Sequence, residues 1–66
     1  MTQNKTKAMF LVIRPTGTKE ELVVNAFENY SQIPQAVKES KYLKVRMAQL
    51  TPIQLYVTMH RLGKIS

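Results

Sequence analysis

The chain has 66 residues, with ten Lys and Arg against four Asp and Glu and a formal charge of +6. So short a chain closes one hydrophobic core, and the absence of cysteine excludes disulfides, thiolate metal sites and cysteine nucleophiles. Hydrophobic residues at 44% and charged residues at 21% give the balance of a folded domain, not of a disordered tail.

Residues 1–7 are polar and carry Lys5 and Lys7, so a flexible basic arm is expected there, followed by a single α+β domain over residues 8–66. Ala8, Met9, Phe10, Leu11, Val12 and Ile13 are apolar on both alternations, the pattern of a strand buried on both faces, and Pro15 ends it. The run falls far short of the ~20 residues needed to cross a bilayer. It also leads into Arg14-Pro15 instead of a small-residue cleavage site, so a cytoplasmic protein is expected.

Pro15, Thr16 and Gly17 supply a turn. Thr18-Lys19-Glu20-Glu21 has the spacing of a capping box, and the sequence predicts a helix from Lys19 to Tyr30 with Leu22, Val23, Ala26, Phe27 and Tyr30 on its inner face. Pro34 suits the start of a short helix over Gln35 to Glu39. Leu43, Val45 and Met47 then alternate with Lys44, Arg46 and Ala48, which predicts a second strand from Tyr42 to Ala48 with one apolar and one cationic face.

Thr51-Pro52-Ile53-Gln54 combines an N-cap, a proline at the first helical position and a capping-box glutamine, and Gly63 stands where a left-handed residue would end the helix. Ile53, Leu55, Tyr56, Val57, Met59 and Leu62 spread over more than half of this last helix, leaving Gln54, Thr58 and Arg61 as its polar line. The expected order is strand, helix, short helix, strand, helix. A helix so apolar needs cover from the strands or from a second copy. Without cysteine, and with His60 as the only histidine, a homodimer is the expected way for the domain to complete its core.

Catalysis has little support. A single histidine cannot assemble a histidine metal site, His60 falls on the apolar arc of the last helix as a half-buried structural residue, and the glutamates do not share a cleft. No enzyme activity, metal or cofactor is expected. The segment from Pro15 to Lys19 has one glycine and is followed by Glu20 and Glu21, so it reads as an ordinary turn and not as a phosphate cradle.

The charge is more informative. Residues 1–19 contain Lys5, Lys7, Arg14 and Lys19 and no acid; residues 40–66 contain Lys41, Lys44, Arg46, Arg61 and Lys64 and no acid. All four glutamates lie between these basic ends. Cations without compensating acids attract polyanions by releasing the counterions condensed on a phosphate backbone.

Apolar strand, Arg14-Pro15 turn and capped helix, from Phe10 to about Ser40, resemble ribbon–helix–helix repressors, whose dimeric ribbon reads DNA. The strand here lacks the outward polar residues of such a ribbon. Thr51 to Ser66 is similar to a winged-helix recognition helix leading into a wing, although a strand precedes it in place of a supporting helix. Neither resemblance assigns a family.

The expectation is a small regulatory or accessory nucleic-acid-binding protein, for DNA in the first instance, of the kind found in phage or mobile elements. Its contacts would be Lys41, Lys44, Arg46, Gln54, Thr58, Arg61 and Lys64, with Gln54 and Arg61 able to reach base edges and Tyr42 able to stack. The alternative is a small inhibitor or modulator that docks on an acidic surface of a host protein, with Tyr42, Tyr56 or Met59 supplying apolar contact.

Overall fold

Six consecutive apolar residues need cover on every side, and this run takes the centre of the sheet. In the computed structural model, which describes residues 5–65, β1 (Lys7–Pro15) lies between β2 (Glu21–Phe27) and β3 (Lys44–Leu50), antiparallel to both. The 3-10 turn Tyr30–Gln32 and the one-turn helix α1 (Gln35–Lys38) connect β2 to β3, and α2 (Pro52–Arg61) follows β3 directly. The α+β class stands. The basic arm expected over residues 1–7 falls partly outside the described residues; within them, Thr6 Oγ1 donates to Gln49 Oε1.

Alternation divides β1 between two layers. Met9, Leu11 and Ile13 form a buried cluster with Ala26, and Leu55, Met59 and Leu62 of α2 pack on it together with Val23, Ala48 and Leu50. On the opposite face Val12 is buried, Phe10 meets Tyr30 edge to face at 5.7 Å, and Ile33 is buried in the connecting segment. That segment therefore covers the second face, and a helix is needed on only one side.

The helix expected from Lys19 to Tyr30 is a strand. Residues 16–20 instead close a hairpin: Thr16 Oγ1 donates to the Glu20 carbonyl at 2.8 Å, Glu20 N–H donates to Thr18 Oγ1 at 3.2 Å, and Gly17 takes φ +84°. The hydroxyl that would have capped a helix holds a turn. The apparent helical period has a physical origin in β2. Val12 pairs with Asn25 and Ile13 with Val23, so Val24 is an extra residue in a β-bulge. The bulge puts Val23 and Ala26, three positions apart, on the same face, and three is also a helical spacing.

The later elements follow the sequence more closely. The second strand is shifted two residues from the expected Tyr42–Ala48, and the one-turn helix starts at the expected Gln35. Both ends of α2 form as expected. Thr51 Oγ1 accepts from Gln54 N–H at 3.2 Å, and Gln54 Oε1 accepts from Thr51 N–H at 3.0 Å. Gly63, at φ +74°, donates to the His60 carbonyl while Lys64 N–H donates to the Met59 carbonyl, a Schellman termination.

Candidate nucleic-acid interface

Cross-strand pairing fixes which cations share a face. Lys44 pairs with Ile13 and Arg46 with Leu11, so both lie on the α2 side of the sheet, at the end of β3 away from Ala48 and Leu50, where α2 packs. Arg46 donates to Glu21 Oε1 at 3.0 Å, joining the two outer strands across β1. The expected cationic face of β3 is real, but one of its two charges is matched by an acid on β2.

Two further cations, Arg14 and Lys41, gather at that same end. Arg14, next to Ile13, points to the opposite side of β1, and the loop before β3 brings Lys41 and Tyr42 towards it. Together with Pro15, Ser40 and Leu43 they line an open cleft of about 660 Å³. No acidic side chain among the described residues lines it. Tyr42 is 80% exposed, and its backbone N–H is held by Ser40 Oγ at 3.0 Å, so the loop is fixed while the ring stands in solvent. A cationic cleft with a free aromatic face can take a phosphate on its charges and a base on its ring.

Arg14 was not among the residues expected to bind. Its signal was present, since it directly follows a strand buried on both faces and must emerge at that strand's end. Linking it to Lys41 required knowing that β3 runs antiparallel beside β1.

The other expected residues are placed elsewhere. Gln54 is committed to the capping box at the start of α2. Thr58 is half-buried and, with Arg61, lines a groove of about 300 Å³ against Glu21, Leu22 and Val23 of β2. The polar line Gln54–Thr58–Arg61 thus runs along the flank of α2 that faces β2. Lys64 donates to the Ala26 carbonyl at 3.0 Å and sits 4.8 Å from the Phe27 ring centroid, so it closes the end of α2 onto β2.

Beside its exposed polar residues, α2 turns an apolar stripe to solvent: Ile53 is 77% exposed, and Tyr56 and Val57 are exposed beside it. His60, expected to be half-buried, is exposed and stacks on Tyr56 with ring centroids 6.0 Å apart. Met59 is half-buried and packs on the core.

Among the described residues, no group of three His, Asp or Glu side chains could hold a metal ion, and no helix is long and apolar enough to cross a membrane. No family model matches the chain, no curated protein matches it, and no solved structure matches it.

Proposed function

We propose that the protein binds nucleic acid, with the cleft at the Lys44 end of the sheet as its contact surface. The observation that carries this reading is the convergence of Arg14, Lys41 and a solvent-exposed Tyr42 on one acid-free cleft, with Lys44 on the adjoining strand. Arg14 and Lys41 engage phosphates and Tyr42 offers a stacking face, a combination suited to unpaired bases. Duplex DNA, the first expectation from the sequence, would use the same cations without the ring. The protein acts by binding, with no catalytic step, and a regulatory role in the cytoplasm belongs to the same proposal.

The test is fluorescence anisotropy with an oligothymidylate and with a duplex over a range of salt. Two phosphate contacts on a single strand correspond to a log–log salt slope of about −1.4, which is roughly a sevenfold weakening between 50 and 200 mM salt. Binding of neither probe at low salt would remove the proposal.

One observation favours the second reading, docking on an acidic host protein: Ile53, Tyr56 and Val57 form an exposed apolar stripe on a helix that contains no acid. A complex retained after nuclease treatment and lost on Ile53→Lys would support it over the first.

A further inference from the structure

The sheet has two edges, and they are unlike each other. β2 carries the Val24 bulge, and the Ala26 carbonyl is already occupied by Lys64. β3 pairs with β1 through seven consecutive residues without a register shift, contains neither Pro nor Gly, and makes no further backbone hydrogen bond among the described residues. Proteins blunt an edge with bulges, prolines or charges. β2 is blunted by its bulge. β3 has only Lys44 and Arg46, both near one end.

We infer that β3 is the dimerisation edge and that its occupant is the β3 strand of a second copy of this chain, giving a continuous six-stranded antiparallel sheet. The charges select the register. A two-fold axis perpendicular to the sheet at residue 46 would set Arg46 against its own copy, and an axis at residue 45 would set Lys44 against Arg46. Like charges directly opposite destabilise a strand pair. An axis at Met47, the midpoint of β3, pairs all seven residues, with Lys44 opposite Leu50, Arg46 opposite Ala48, Val45 opposite Gln49, and Met47 opposite itself. The two cations then act against the wrong registers without opposing the right one.

Met47 is 57% exposed on the face opposite α2, a position where a lone monomer would leave an apolar side chain in water. The pairing also places the two cationic clefts on one assembly, their Lys44 positions about 20 Å apart along the strands. The inference itself does not depend on nucleic-acid binding.

The experiment is the molar mass in solution by light scattering, for the wild type and for Met47→Lys and Met47→Glu. The wild type should give the mass of two chains, and each variant alone the mass of one, because like charges then meet at the axis. An equimolar mixture of the two variants should restore the dimer. Hydrogen exchange on the wild type provides a readout without substitution: pairing on both sides protects successive β3 amides, whereas a free edge leaves every second one exchanging. A monomeric wild type, a dimer that survives Met47→Lys, a mixture that stays monomeric, or a dimer dissociated by Ile53→Lys would each overturn the assignment.

Discussion

Replacing Tyr42 by alanine removes the stacking face from the cleft while leaving the fold in place. The ring is 80% exposed, and the loop is held by the Tyr42 backbone N–H on Ser40 Oγ, which the substitution retains. Stability should therefore change by no more than about 0.5 kcal/mol, the range of surface substitutions away from special features. Binding should respond much more. Stacking of one base on an aromatic ring is worth about 1–3 kcal/mol, so affinity for oligothymidylate should fall roughly 5- to 150-fold. Tyr42→Phe keeps the π-face and should bind like the wild type. Anisotropy titrations at low salt, paired with thermal melts by circular dichroism, read both quantities. An alanine variant that binds within about twofold of wild type would refute the stacking role. A phenylalanine variant as weak as alanine would transfer the contact from the ring to the hydroxyl.

The helix end and the core give further expectations. Gly63 adopts φ +74° with open space around its missing Cβ, so Gly63→Ala costs backbone strain without a clash: about 1 kcal/mol, or roughly 4–8 °C in Tm for a domain of this size, measured by thermal melts. Ile13→Ala opens a cavity in the central strand at a cost of about 2–5 kcal/mol, against a total of about 3–10, and should leave a large unfolded fraction by circular dichroism. Lys64→Met keeps the aliphatic stem and removes the bond to the Ala26 carbonyl, so it should lower Tm while leaving nucleic-acid affinity within about twofold, in contrast to Lys41→Gln, which should weaken binding and flatten the salt dependence.

The parts of the fold that read correctly are those where local chemistry and tertiary position agree. Thr51, Pro52, Gln54 and Gly63 define α2 through bonds made within a few residues, so their partners are readable without the tertiary fold. Ala8 to Ile13 has no amphipathic option, so its place at the sheet centre follows from composition. Glu21 to Phe27 is different. Its helical spacing is produced by a bulge whose only cause is pairing with β1, and Thr18, a good N-cap, is drawn into a hairpin turn. The competing signal was Gly17 within a five-residue connection between two apolar runs, with Val23, Val24 and Phe27 favouring a strand.

The candidate site divides in the same way. Lys41, Tyr42 and Lys44 are near neighbours in sequence and were visible as a basic, aromatic segment. Arg14 joins Lys41 and Tyr42 only through the antiparallel order β2–β1–β3. The polar line on α2 was legible as a line, but which flank it occupied depended on how the helix crosses the sheet, with Thr58 and Arg61 set against β2.

The most direct test of nucleic-acid binding through this cleft is an amide chemical-shift titration of the labelled protein with a short oligothymidylate at low salt. The shifts should concentrate at Arg14, Ser40, Lys41, Tyr42 and Leu43 and extend to Lys44, and they should reverse as salt is raised. Shifts confined to Ile53, Tyr56, Val57 and His60 on α2, or no shifts at all, would contradict it.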